Sequence, residues 1–299
     1  MSDDTRPQAA PLAARIEAPR LDPGLYLVST PIGAARDITL RALDVLNGAD
    51  LLAAEDTRVL RHLMDIHGVP LRGRRIVAYH DHNADRARPA ILAALEQGQA
   101  VAYASDAGTP LVADPGYRLG RDAGMAGHRV HAVPGASAAL AALTVSGLPS
   151  DRFLFAGFPP ATRSARRDWL ATWAGVDATI ILFESPRRVK ETLRILCETE
   201  PERVMVICRE LTKKFEQVMR GTVAELAQTI PDEGLRGEIV LVLDRPAPVV
   251  VGDDDVRAAL LARLDRMSVK DAAREVAEEL NLPRREVYQI ALTVGKDDT

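Results

Sequence analysis

Apolar and polar positions along the chain follow two alternating rhythms. Short continuous apolar runs read as strands buried on both faces. The stretches between them carry apolar residues at i, i+3 and i+4 and read as helices. In the first half, Leu25–Ser29, Asp50–Ala54, Ile76–Tyr79, Val101–Ala104 and Arg129–Val133 predict strands. Ile38–Leu46, Val59–His67, Ala84–Gln97, Tyr117–Ala126 and Ser137–Val145 predict helices, with Asp37 as N-cap of the first and Gly68 and Gly98 as stops. Ser146-Gly-Leu-Pro-Ser-Asp151 breaks the pattern and marks a candidate domain boundary. Beyond it, strands are predicted over Phe153–Ala156, Thr179–Phe183, Val204–Cys208 and Glu238–Leu243. Helices are predicted over Arg163–Trp173, Val189–Cys197 and Thr222–Thr229. Pro246 and Pro248 break the chain again, and Val256–Leu264, Val269–Leu280 and Arg285–Thr293 form an all-helical end. The alternation predicts an α/β protein with mostly parallel sheets and helices on both faces. The expected domains are a disordered tail over 1–22, α/β domains over 23–149 and 150–247, and a helical region over 252–295.

Three strand ends run into turns dense in Gly, Pro and Asp: Ser29-Thr-Pro-Ile-Gly33, Ser105-Asp-Ala-Gly-Thr-Pro110 with Asp114-Pro-Gly116 behind it, and Val133-Pro-Gly-Ala-Ser137. Open α/β sheets bind ligands at strand carboxyl ends. Gly108 and Gly116 allow close backbone approach, and Pro110 and Pro115 stiffen the turn. A tight loop without a ligand would look the same at any one of the three. Together they point to a shared small-molecule site.

Composition changes this picture little. With 47% hydrophobic and 27% charged residues over 299 positions the chain reads as an ordinary soluble enzyme of more than one core. A net charge of −4 argues against holding nucleic acid by a bulk positive field, though not against local basic patches. Cys197 and Cys208 make no CxxC pair and read as inert reduced thiols. No run reaches membrane-spanning length, and the first twenty or so residues lack the apolar core of a signal peptide, so a cytoplasmic protein is expected.

Several chemistries are excluded by missing signatures: no G-x-x-x-x-G-K-[ST], no G-x-G-x-x-G after the first strand, no H-E-x-x-H and no G-x-S-x-G. His80-Asp-His82 has a ligand-like spacing, but alternate residues on a strand end face opposite sides, so no metal is expected. Carboxylates gather at the predicted strand ends, at Glu55, Asp56, Asp81, Asp106, Glu184 and Glu210. Each alone reads as a salt bridge or helix cap. As a set they read as a polar cleft. Arg163, Arg166 and Arg167, then Arg187, Arg188 and Lys190, then Arg209, Lys213 and Lys214 form basic groups in the second half. They read either as solvated helix faces or as a phosphate-contacting surface. Phe153, Phe158 and Trp169 could stack a flipped base or simply pack in a core.

Taken in order, the three turns, Ala53-Ala-Glu-Asp-Thr-Arg58, Tyr79-His-Asp-His-Asn83, Gly147-Leu-Pro-Ser-Asp-Arg-Phe153, Phe183-Glu-Ser-Pro186, Arg209-Glu-Leu-Thr-Lys213 and Gly237-Glu-Ile-Val-Leu241 resemble the tetrapyrrole-methylase superfamily. Within it they are most similar to the bacterial methyltransferases that modify a cytidine ribose 2′-oxygen in 16S ribosomal RNA. The resemblance spans about Leu25 to Leu243, and the helical end resembles a helix-turn-helix extension. It implies S-adenosyl-L-methionine as donor in a cleft between two α/β domains, a homodimer, and the small ribosomal subunit as partner, with no membrane. It implies a donor site at Pro31, Gly33, Asp106, Gly108, Thr109, Pro110, Ala136 and Ser137, faced by Glu184 and Ser185. Glu55, Asp56, Asp81 and Glu184 are the candidates for handling the hydroxyl proton. Arg58, Arg163, Arg166, Arg167, Arg187, Arg188, Lys213 and Lys214 are the candidate RNA contacts.

The chain departs from the family pattern at Ala34-Ala35, at Ala136 and at Arg187. The helical end is acidic, by about three charges from Gly252 onward, which does not favour RNA grip there. Two other readings stand beside this one. The first is a relative acting on a tetrapyrrole or a protein side chain. The second is a non-catalytic binder of RNA or of a partner.

Overall fold

The computed structural model describes residues 17–112, 116–247, 252–280 and 282–294. Residues 1–16 of the expected tail, the Asp114-Pro115 pair and Pro248 lie outside the described residues. The described residues up to 246 form one compact unit and those beyond it a second.

The first sheet of the large unit contains β1 (Gly24–Val28), β2 (Leu51–Ala54), β3 (Ile76–Ala78), β4 (Ala100–Ala104) and β5 (Val130–Val133), ordered β3-β2-β4-β1-β5. Every pairing is parallel. The period of two along each strand splits the side chains between two cores. Tyr26, Val28, Leu52, Ala54, Ala102 and Ala104 pack under α1 (Leu40–Gly48) and α2 (Thr57–Ile66). Leu25, Ala53, Val101 and Tyr103 pack under α3 (Ala84–Glu96) and α4 (Gly116–Met125). From β1 the chain crosses one face to β2, and from β4 it crosses the other face to β5. The neighbouring strands β1 and β4 therefore part in opposite directions and open a crevice at their carboxyl ends.

Two local expectations differ. Asp37 does not cap α1. It lies in a short 3₁₀ turn, Ala35–Asp37, and Thr39 is the cap, its hydroxyl accepting from the Ala42 amide at 3.2 Å. Residues 17–22, expected in the tail, lie along α1. The Glu17 amide donates to Asp44 at 2.8 Å, and Leu21 packs on the core.

The second sheet contains β6 (Phe153–Gly157), β7 (Thr179–Glu184), β8 (Val204–Arg209), β9 (Gln217–Thr222) and β10 (Ile239–Leu243), ordered β6-β7-β10-β8-β9. It corrects the expectation of mostly parallel sheets. Only β6–β7 is parallel, and the other three pairings are antiparallel. The cause lies in β9, which the apolar pattern does not reveal. Its sequence, QVMRGT, has no apolar run longer than Val218-Met219, because it is an edge strand, half-buried along most of its length, that returns from β8 through a short loop too tight for a parallel crossover.

One face of this sheet carries α6 (Arg163–Ala171), α7 (Val189–Cys197) and α8 (Val223–Thr229). The other face packs on α5 (Ala138–Ser146), the helix that leaves the first sheet after β5. Ala139, Ala142 and Leu143 sit there against Ile181, Val206, Cys208, Val240 and Val242. Burial pushes the Cys208 thiol up to about 11, which keeps it an inert thiol.

The small unit is three helices, α9 (Asp253–Leu264), α10 (Val269–Glu279) and α11 (Arg284–Val294), around Val256, Leu260, Ala273, Val276 and Val287. Ser268 caps α10, and Arg263 pairs with Glu275 and Glu279.

α8 begins in a capping box: Thr222 accepts from the Glu225 amide, and Glu225 accepts from the Thr222 amide at 2.8 Å. Thr222→Ala is expected to lower stability by about 1 kcal/mol, measured by urea unfolding.

Candidate functional site

The parallel register sets four strand ends in one row. Val28 and Ala54 each align with Ala104, and Val28 aligns with Val133, so Ser29, Glu55, Ser105 and Pro134 emerge together. Side chains and backbone then lace the four turns. Thr30 and Gly108 exchange amide–carbonyl bonds at 3.0 and 3.1 Å. The Ser105 hydroxyl donates to the Gly108 carbonyl at 2.9 Å, and the Thr30 hydroxyl to the Ser105 carbonyl at 3.1 Å. The Thr109 hydroxyl donates to the Ala136 carbonyl at 3.0 Å. The Asp56 amide donates to Asp106 Oδ1 at 2.8 Å. Gly108 holds φ +79, and a side-chain carbon there would also press on Ile32 at 3.2 Å.

Above this row lies a cavity of about 400 Å³. Ile32, Glu55, Ser105, Asp106, Gly108, Thr109 and Ser137 line it from the first sheet. Phe158, Phe183, Glu184, Ser185 and the segment Gly237–Val240 line it from the second. Of the sequence-predicted donor residues, Asp106, Gly108, Thr109, Ser137, Glu184 and Ser185 therefore share one cavity. Pro31, Gly33, Pro110 and Ala136 are not among its lining residues. Gly33 instead lets the first turn touch the loop after β8: a side-chain carbon at Gly33 would sit 2.5 Å from Lys213 Cγ and 2.6 Å from Thr212 Oγ1. Ala34 donates its amide to Thr212 Oγ1 at 3.0 Å, so this departure from the family pattern keeps a backbone contact.

That loop is strained and anchored. Glu210 and Thr212 hold φ +51 and +63, left-handed values that cost a non-glycine residue energy. Glu210 Oε1 accepts from the Glu238 amide at 2.9 Å and from Lys213 Nζ at 3.0 Å. These bonds, the Glu238 amide first, hold the Glu210 carboxyl below the usual carboxylate range. Gly237 leaves the space, since a side-chain carbon there would meet Glu210 at 2.5 Å. The loop thus grips the first-sheet turn with Thr212 and the cavity wall Gly237–Glu238 with Glu210.

The four proton-handling candidates separate clearly. Glu184 has no exposed side-chain surface. Oε1 accepts from the Ser185 amide at 2.6 Å and from Arg188 at 2.9 Å, and Oε2 from Thr192 at 2.5 Å. Three donors thus hold it in place, and it shapes the Ser185-Pro186 rim of the cavity that it lines. Asp56 caps α2, accepting from the Arg58 amide at 2.8 Å, and pairs with the Arg58 guanidinium at 2.6 Å. Those bonds hold its carboxyl at about 2. A carboxylate so depressed is a weak base near neutrality. Asp81 is exposed and is not among the cavity's lining residues. Glu55 lines the cavity.

The RNA-contact candidates are corrected in part. Arg166 is 2% exposed and donates to the Pro160 and Ala161 carbonyls, so it is a structural residue. Arg163 and Arg167 pair with Glu198, Arg58 with Asp56, Arg188 with Glu184, and Lys213 with Glu210 and Glu238. Arg187 and Lys214 are exposed and without an ion pair among the described residues. Sequence spacing shows where cations cluster but not which carboxylates a fold brings to them. His80 and His82 face each other edge-on at 6.1 Å, and no metal-binding cluster forms among the described residues.

Ile32 lines the cavity from within the Pro31-Ile-Gly33 turn. Sequence reasoning did not assign Phe183 or Gly237–Val240 to the site. They enter it because the second sheet is laid against α5, and both stand inside motifs that were noted, which was the available signal.

Two α/β sheets closing on a cavity at the carboxyl ends of a parallel sheet define a class. Residues 24–227 match the model of the Tetrapyrrole (Corrin/Porphyrin) Methylases, and residues 250–294 match the RsmI C-terminal HTH domain. Among similar solved structures are diphthine synthase (TM-score 0.57, 17% identity, 74% of this chain and 89% of that one) and uroporphyrin-III-C-methyltransferase from Thermus thermophilus (TM-score 0.52, 22% identity, 74% and 94%). At that identity they speak for the fold alone. The curated relatives are nearer. Ribosomal RNA small subunit methyltransferase I of Mesorhizobium japonicum is 48% identical over 95% of this chain and 97% of its own length. That of Escherichia coli O157:H7 is 40% identical over 90% and 94%. The chain belongs to the ribosomal RNA small subunit methyltransferase I group of the tetrapyrrole-methylase family.

Two outcomes follow from this geometry. Glu210→Ala frees the Glu238 amide and Lys213 and is expected to cost about 1–3 kcal/mol in urea unfolding. The Asp56 carboxyl, followed by carbon NMR, should titrate near 2 instead of 3.8. Because its folded value is the lower one, its stabilising effect is fully present above about 3.8 and is lost as pH falls toward 2.

Proposed function

We propose that this protein transfers a methyl group from S-adenosyl-L-methionine to a cytidine ribose 2′-oxygen of 16S ribosomal RNA in the small ribosomal subunit. The observation that carries the reading is the 48% identity, over nearly the whole chain, to a ribosomal RNA small subunit methyltransferase, joined to a cavity built at the expected strand ends. The cavity suits the donor. Ile32, Phe183 and Val240 offer apolar faces to a purine, and Glu55 and Asp106 offer negative charge to its sulfonium and ammonium groups.

When bound, the donor supplies a methyl carbon on a good leaving group, so alignment and removal of the hydroxyl proton are the tasks left to the protein. In this reading the laced turns of the first sheet fix the donor side. Glu55, which lines the cavity at the carboxyl end of β2, receives the proton. Arg187, next to the lining residue Pro186, and the exposed Lys214 offer charge to phosphates, and the partly exposed Arg163 and Arg167 can exchange a weak surface pair for one. The protein acts as a homodimer in the cytoplasm, where its ribosomal substrate is found. No helix of the described residues is long and apolar enough to cross a membrane.

The test is methyl transfer from labelled donor to small subunits lacking the modification, with free RNA and a tetrapyrrole as controls. Label is expected on a ribose of subunit RNA. Glu55→Gln is expected to keep donor affinity and to lose about 10²-fold or more in turnover. Label on the tetrapyrrole, or donor binding with no label in subunits, would overturn the assignment.

A further inference from the structure

Phe158 is unlike the other aromatic residues of this chain. It lines the cavity, yet its surface is 52% exposed, so the ring stands at the mouth with one part turned inward and the rest to solvent. Phe153, of similar exposure, is not among the cavity's lining residues. Trp169 is packed edge-on against Trp173 at 5.6 Å in the core of the second sheet.

The backbone holds Phe158 there by construction. β6 carries an extra residue, Ala156, between the pairs Phe155–Ile181 and Gly157–Leu182. Such bulges bend a strand and re-aim the next side chain. Gly157 follows at φ +80, a turn that a side chain would resist. Pro159 comes next and is buried, and with Pro160 it fixes the chain on the far side of Phe158. The ring itself rests on the edge of Phe183 at 5.4 Å, and Phe183 on Phe155 at 4.8 Å. A bulge, a left-handed glycine, a buried proline and a two-ring support thus present one large apolar face to water. Leaving it open costs hydrophobic free energy in the free protein, which a ligand covering the face recovers.

We propose that Phe158 is a stacking platform for a nucleobase of the RNA substrate, holding the target nucleotide out of its own stack at the cavity mouth. The proposal rests on the reading that the substrate is RNA. Purely apolar faces accept any base, and an unstacked base is how proteins recognise single-stranded RNA. A base arriving from outside meets the solvent-facing part of the ring. The polar lining of Asp106, Thr109 and Ser137 belongs to the opposite wall.

The experiment compares wild type, Phe158→Leu and Phe158→Tyr. Donor affinity is read by calorimetry, the KM and kcat for methylation of unmodified small subunits by label transfer, and oligomeric state by sedimentation. Loss of one base–aromatic stack predicts a fall of about 10-fold or more in kcat/KM for subunits in Phe158→Leu. Donor affinity and oligomeric state should be unchanged, and Phe158→Tyr, which keeps the π-face, should recover most of the activity. Weakened donor binding in Phe158→Leu would assign the ring to the donor's adenine. A changed oligomeric state would assign it to a second copy of the chain. Either result, or unchanged kcat/KM, overturns the proposal. If wild type itself labels no subunit RNA, the functional reading falls first, and the two failures are told apart by that arm.

Discussion

The structure depends on one apolar layer shared between its two sheets. α5 belongs by connectivity to the first sheet, but its buried residues, Ala139, Ala142 and Leu143, pack on the inner face of the second. Ile32 from the first β-turn and Leu211 from the loop after β8 join the same layer. Burying this layer is favourable only when the sheets close on each other, and that closure makes a cavity out of what would otherwise be open strand ends.

Around this layer the site is stiffened at both walls by different means. On the first sheet, hydroxyls and amides of adjacent turns bond one another, so Thr30, Ser105 and Thr109 spend their polar groups on the scaffold. On the second, a strained loop pulls Glu210 over the Gly237–Glu238 segment while Thr212 holds the Gly33–Ala34 turn. Left-handed backbone at non-glycine residues persists only where surrounding bonds over-determine it, and both residues meet that condition.

Charge follows a similar economy. Several cations that stand out in the sequence are bound to carboxylates that the sequence keeps far away. Glu198 draws in Arg163 and Arg167, and Glu238 draws in Lys213. The family assignment sits comfortably with this moderate surface. Positioning on a large structured particle asks for a few well-placed cations, whereas capture of free nucleic acid asks for a broad positive field.

By itself the sequence determined the parallel first sheet, the Gly/Pro turns at its strand ends and the family to which they belong. These rest on short-range rules: apolar runs for strands fully covered by helices, and glycine or proline where the backbone must turn tightly. Tertiary structure alone decided the rest. The antiparallel second sheet was hidden because its edge strand β9, only half-buried, carries no apolar run longer than Val218-Met219. The Thr39 cap displaced Asp37 because a 3₁₀ turn intervened. Glu184 turned out buried and held by three donors, and Arg166 buried and bonded to the Pro160 and Ala161 carbonyls that precede its own helix. Their partners lie within eight residues, so what decided these two was burial: which side of a short segment the rest of the fold covers, a quantity that the local sequence does not carry.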